Sequence, residues 1–213
     1  MRRAAAGIAL ILSAGVDSSS LAFLRLRLRR KPGLTPAQPT SEGPEELPGG
    51  LGTLRQDEVS VTLRRGGLQI RLTPLGESIV RLTAPDTFER LSALGRGHQE
   101  IFTERTGAAV PFQLFLVSLF SEATEVAFDP DALTLVNRGL RYRPIEIQAV
   151  TPGWDARLLM PREPLLAAYA FSHDLEQEVE VEYQEIRSRA WQDVLPVIQR
   201  EEERVRSRTR ELN

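Results

Sequence analysis

Apolar and polar residues alternate sharply from residue 57 onward. Val59, Val61 and Leu63 are interleaved with Ser60, Thr62 and Arg64, the two-residue period of a strand with one flank buried. Leu68, Ile70 and Leu72 repeat the period after Arg65-Gly66-Gly67, so the two runs predict a β-hairpin turning on the glycine pair. Pro74-Leu75-Gly76 breaks the chain, and residues 78–83 read as a third strand. The period then changes. Pro85-Asp86 opens a helical stretch with Asp86 or Thr87 as N-cap and Phe88, Leu91 and Leu94 on one face. Gly95 and Gly97 are expected to interrupt it, and Ile101 and Phe102 to resume it before Gly107.

Residues 112–120 form the most apolar run, with Phe112, Leu114, Phe115, Leu116, Val117, Leu119 and Phe120. Its length suits a strand buried on both faces, and the proline before it favours that reading over a buried helix. Residues 126–128, 133–136, 143–150, 165–171 and 179–183 read as further short strands, separated by turns such as Asp129-Pro130-Asp131, Asn137-Arg138-Gly139 and Thr151-Pro152-Gly153. Short strands at this spacing predict a sandwich or barrel. Val179-Glu180-Val181-Glu182-Tyr183 exposes one face and is expected near an edge, where its charges would discourage intermolecular pairing.

From Ser188 the period is helical again. Trp191, Ile198, Val205 and Leu212 fall seven apart, with Val194 and Leu195 widening the stripe. Pro196 is expected to kink this helix, and the charged half from Gln199 supports it by ion pairs one turn apart. The stripe either docks on the domain through Trp191 or forms a short coiled-coil or partner-binding helix.

Phe128-Asp129-Pro130, Leu133-Thr134-Leu135, residues 139–143, Thr151-Pro152-Gly153 and Ala168-Tyr169-Ala170-Phe171 together follow a rhythm that resembles Ig-like sandwiches of exported bacterial proteins, over residues 112–184. The resemblance implies a module that binds partners or spaces other domains, and it brings no catalytic residues with it. The expected fold is therefore mainly β: an Ig-like or related antiparallel β-sandwich over residues 57–186, with one inserted helical segment and a C-terminal amphipathic helix over 187–213.

The first residues carry a different pattern. Met1-Arg2-Arg3 is a positive start, and residues 4–16 are small and apolar throughout. That run fits the hydrophobic region of a signal peptide and is too short to span a membrane. Residues 1–16 are accordingly expected to be signal-like, with cleavage after Ala14 or Gly15; an ordinary N-terminal strand or helix is the other reading. The basic stretch Arg25, Arg27, Arg29, Arg30 and Lys31 weighs against export. Pro32, Pro36, Pro39, Pro44 and Pro48 with Gly33, Gly43, Gly49, Gly50 and Gly52 then predict a disordered linker, placed with the basic stretch at 17–56.

Ser13-Ala14-Gly15-Val16-Asp17-Ser18-Ser19, between the apolar residues 8–12 and 21–24, resembles the pyrophosphate-binding loop of the PP-loop ATP pyrophosphatases. In that family, backbone N–H groups and a helix N-terminus cradle phosphates. The resemblance implies that Ser13, Gly15, Asp17 and Ser18 would hold the nucleotide. Ala14 departs from the family's glycine, and the linker stands where the next βα units should follow.

Composition narrows the chemistry. The 213 residues are 41% hydrophobic and 26% charged with a formal net charge of −2, so no field of one sign marks a nucleic-acid binder. With no cysteine, a disulfide framework, a cysteine zinc site and a thiol nucleophile are excluded. His98 lies near Glu100 and Glu104, and His173 near Asp174 and Glu176, without the spacing of a metal site. Asp129 and Asp131 lack the further oxygen ligands of a calcium loop and read as a turn. Ser172-His173-Asp174 is not a catalytic triad, whose members meet in space rather than as neighbours. Arg138, Arg141 and Arg143, with Tyr142 on the opposite face from the last two, read as solvated strand arginines or as a small anion or nucleic-acid patch.

These readings converge on a non-enzymatic interaction or structural module, periplasmic or secreted, without cofactor or metal. Its expected partner is a protein or a larger envelope assembly, not nucleic acid, with membrane contact confined to the N-terminal segment if that is uncleaved. The expected interaction surface is Arg141, Arg143, Trp191, Ile198, Val205 and Leu212. The alternatives are a cytoplasmic PP-loop-type ATP-binding enzyme using Ser13 to Ser19, or a hydrolase whose site the sequence does not reveal.

Overall fold

A computed structural model describes residues 47–106, 112–172 and 179–212. The signal-like segment, the loop at Ser13 to Ser19, the basic stretch, most of the linker and His173 lie outside the described residues.

β1 (Val61–Arg65) and β2 (Leu68–Pro74) form the expected hairpin, with Val61 opposite Leu72 and Arg65 opposite Leu68. Gly66 turns it at φ 54°, a left-handed conformation that glycine adopts without steric cost. Where a third strand was expected, α1 (Glu77–Val80) makes a single helical turn. The Gly76 carbonyl accepts from both Ile79 and Val80 N–H at 3.0 Å, and Ser92 Oγ and Arg81 Nε hold the Glu77 carboxylate at 2.7 and 3.2 Å. Val80 and Leu82 are buried either way, so the apolar spacing could not separate strand from turn.

α2 (Pro85–Thr106) runs unbroken through both glycines. Gly95 is a contact point rather than an interruption: a methyl group there would stand 3.0 Å from the Leu75 carbonyl oxygen. The helix approaches the backbone at Leu75, just past β2, this closely because Gly95 has no side chain.

β3 (Gln113–Ser121) is the doubly buried strand the apolar run predicted. Then follow β4 (Val126–Ala127), β5 (Leu133–Asn137), β6 (Leu140–Tyr142), β7 (Glu146–Ala149), β8 (Leu158–Leu159), β9 (Leu165–Phe171), β10 (Glu180–Tyr183), β11 (Ile186–Ser188) and α3 (Trp191–Leu212). The run 143–150 holds one strand, shortened to β7 at Glu146–Ala149, and β6 precedes it as a strand of its own. Pro144, lacking an N–H, stands between β6 and β7, which belong to different sheets.

One sheet has the order β1-β2-β3-β9-β7, the second β11-β10-β5-β6, and β4 pairs with β8; every pairing between these strands is antiparallel. Leu114, Leu116, Ala168 and Ala170 meet Leu75, Val80, Leu91 and Phe102 on the α2 side. Phe115, Val117, Ala167 and Tyr169, on the other face of the same strands, meet Leu133, Leu135, Val181 and Tyr183 of the second sheet. The alternation of β3 and β9 thus supplies two cores. β10, expected near an edge, lies one strand inside it, because the turn at Gln184 (φ 54°) returns the chain as β11.

Two further expectations change. The linker does not extend to residue 56: Leu54 is buried, its N–H donates to the Leu82 carbonyl at 3.1 Å, and its own carbonyl accepts from Ala84 N–H at 2.8 Å. Gly52 allows this approach, since a methyl group there would overlap the Leu82 carbonyl. Trp191, Ile198 and Val205 do not form a surface; they are buried in the main core with Val59 and Val61. α3 is docked, running as one helix through Pro196, and Leu212 stays exposed at its end.

Candidate functional site

The arginines singled out in the sequence sit on or beside the outer face of the second sheet. Cross-strand register places Glu182 beside Thr134 on one side and Arg187 on the other. Arg141 reaches across from β6, with Nε donating to Glu182 Oε1 at 2.7 Å, and Arg187 Nε donates to Oε2. Hydrogen bonding from Arg141 leads in holding the Glu182 carboxyl below its usual range; burial opposes it and Arg187 adds to it. Glu180 is held in turn by Arg189 at 2.7 Å and Arg187 at 3.8 Å. Arg141 is therefore spent on a buried carboxylate. Arg143, just past the end of β6, is exposed.

A second feature was not legible from spacing. Pro130, Asp131, Ile147, Ala149, Trp154, Asp155 and Arg157 line an open cleft of about 300 Å³. Its first wall is the turn at Asp129-Pro130-Asp131, read as a turn in the sequence. The Asp129 carboxylate accepts from Asp131 N–H at 3.1 Å, with Pro130 preset for the turn. Two core tyrosines grip this turn: Asp129 N–H donates to Tyr183 Oη, and Tyr169 Oη donates to the Pro130 carbonyl, each at 3.0 Å. Burial raises the Tyr169 hydroxyl pKa, and the charges of Asp131, Tyr183 and Asp129 raise it further.

The opposite wall is a tight turn at Trp154–Ala156, flanked by Gly153 at φ 88° and Arg157 at φ 52°. Trp154 is buried edge-on against Phe128 and Tyr169, with ring centroids 5.1 and 6.1 Å away. Phe128 N–H donates to the Arg157 carbonyl at 3.0 Å, which holds Arg157 in a left-handed conformation that costs a non-glycine residue roughly 1 kcal/mol. The Arg157 guanidinium stands 3.7 Å from the Asp131 carboxylate, and both side chains are largely exposed.

β7 forms the floor. Ile147 and Ala149 face the cleft, while Glu146 and Gln148 point the other way, to Arg105 at 2.7 Å and to His98 Nδ1 at 2.8 Å on α2. His98 is thus a packing and hydrogen-bonding residue on the far side of the sheet. Asp131 and Asp155 against Arg157 leave the cleft acidic, with Asp129 adding to the negative charge, an environment suited to a cation or a donor-rich ligand. Sequence reading found Asp129 and Asp131 but missed Trp154, Asp155 and Arg157. The available signal was a tryptophan directly after the Thr151-Pro152-Gly153 turn, where a solvated loop would carry a polar residue.

Among the described residues, no group of three or more His, Asp or Glu side chains is placed to hold a metal ion, and no helix is long and apolar enough to cross a membrane. Compared with protein families, curated proteins and solved structures, the chain matches none.

Proposed function

We propose that this chain is an exported or envelope-associated interaction module, built on an Ig-like sandwich and acting by binding a protein partner rather than by catalysis. One observation carries the reading. The buried carboxylates that could have been tuned for acid–base chemistry, Glu182 and Glu201, are each clamped by arginine, which holds them below their usual range. A general acid or base operating near neutrality needs the opposite shift. Asp131, Asp155 and Arg157 instead stand open to solvent around the cleft. Two antiparallel sheets face to face across Tyr169 and Leu135 support the Ig-like comparison, and the positive start followed by an apolar run supports export to the periplasm or beyond.

The test uses the full chain in its own cells, with a photo-crosslinking amino acid at Asp155 and, as a control, at Glu104 on α2. A mature N-terminus at Gly15 or Val16 in the exported fraction, with a discrete crosslinked protein from the first position and not from the second, supports the reading. An intact N-terminus in the cytoplasmic fraction, protected from proteolysis by ATP, overturns it.

A further inference from the structure

The floor of the cleft is also an open sheet edge. Val150 N–H donates to the Leu166 carbonyl at 2.9 Å, and the ladder continues with Ala149 opposite Ala167 and Ile147 opposite Tyr169. Hydrogen-bonding residues alternate in an antiparallel pair. Gln148 and Glu146, in phase with Val150, therefore turn their amides and carbonyls toward β9. Those of Ile147 and Ala149 point away from the sheet, and no described strand lies on that side. The same two residues place their side chains in the cleft. Unspent backbone donors and acceptors thus adjoin a cavity edged by carboxylates.

We propose that β7 accepts an extended peptide segment of the partner as an added strand, with a lysine or arginine of that segment seated between Asp131 and Asp155. The proposal rests on the interaction-module reading. Strand addition takes its affinity from the backbone and its specificity from pockets for alternate side chains, and alternation aims every second peptide side chain at the face that Ile147 and Ala149 share. Charge selects the occupant: two carboxylates against one guanidinium favour a basic side chain and repel an acidic one. β7 carries no lysine and no proline, the residues that commonly block an edge. β6, at the edge of the second sheet, is shorter and runs into Pro144.

The experiment selects random twelve-residue peptides displayed on phage against the full chain, then measures the enriched peptides in synthetic form. The expected consensus is a single lysine or arginine within an extended, β-branched context. Its Kd should weaken at least tenfold with Asp131→Asn combined with Asp155→Asn, or when the basic residue becomes norleucine. Ala149→Pro, which removes an outward N–H and adds a ring at the edge, should abolish binding, and peptide binding should slow hydrogen exchange at the Ile147 and Ala149 amides. The isosteric asparagine variants preserve the turn, because the Asp129 carboxylate caps it. Enrichment of peptides without a basic residue, binding indifferent to the asparagine pair, or no enrichment overturns the proposal. A crosslink from Asp155 in cells would leave the broader reading standing in each of those cases.

Discussion

Thr53 and Glu201 stand 148 positions apart, yet the amide and the hydroxyl of Thr53 both donate to Oε1 of Glu201, at 2.7 and 2.8 Å. Arg204, one turn along α3, bonds both oxygens of that carboxylate at 2.7 Å and also donates to the Leu51 carbonyl at 2.8 Å. The segment at Leu51 to Thr53 is thereby fastened to the C-terminal helix. Glu201→Ala leaves the Thr53 amide and hydroxyl without their acceptor and Arg204 without its counter-charge, so it should cost about 2–3 kcal/mol. The measurement is the urea midpoint at constant slope. A midpoint equal to that of the parent chain would show that the clasp contributes nothing.

Thr134 offers a change of opposite sign. Its side chain is over nine-tenths buried in β5, and its hydroxyl oxygen has no hydrogen-bond partner, beside the Glu182 carboxylate held from both sides by arginine. Valine has the same shape without the polar atom and suits a strand at least as well. Thr134→Val should stabilise the fold by about 1 kcal/mol, read as a rise in the same urea midpoint. Destabilisation would mean that the hydroxyl has a partner in solution.

Local period carried far into this fold. Residues 165–171 were read as a strand and are β9 without a residue gained or lost; the Gly66-Gly67 hairpin and the seven-residue stripe of α3 were equally legible. What failed was non-local. Gly49 and Gly52 signalled disorder by composition, but side chains there would run into Phe88 and Leu82, contacts visible only once the chain has folded back. Alternation showed that Arg141 faces outward, yet nothing local says that β5 lies between β6 and β10 and so brings Glu182 within its reach. The cleft draws on three separated segments, and each alone reads as an ordinary turn or strand.

Acid should weaken the fold through its clamped carboxylates. Hydrogen bonding from Arg204 leads in lowering Glu201, with burial opposing and Thr53 assisting, and Arg141 plays the corresponding part at Glu182. A carboxyl whose folded pKa lies below its unfolded value contributes stability that is complete above the unfolded value and lost as pH falls through the folded one. Chemical denaturation across pH should therefore show a contribution from both groups that is constant from neutrality to about pH 5 and declines below the ordinary carboxylate range. Combining Glu182→Gln with Glu201→Gln should lower the plateau and flatten the acid limb; a limb of unchanged steepness would place its origin elsewhere.

The two tyrosines beneath the cleft give a prediction with an internal ranking. Tyr183→Phe removes the acceptor of the Asp129 N–H, whereas Tyr169→Phe removes a donor to the Pro130 carbonyl. A part-buried N–H without an acceptor is tolerated less well than a carbonyl missing one of its donors. Tyr183→Phe should thus cost about 1–2 kcal/mol and Tyr169→Phe about 1 kcal/mol or less. Both bonds hold one short turn, so once either is gone the other has less left to hold. The double variant should therefore fall short of the sum of the single costs by about 0.5 kcal/mol or more. Urea denaturation followed by tryptophan fluorescence in a Trp191→Phe background, which leaves Trp154 as the one indole, reads this, since its ring centroid lies 6.1 Å from that of Tyr169. Strict additivity would mean that the tyrosines hold the turn independently.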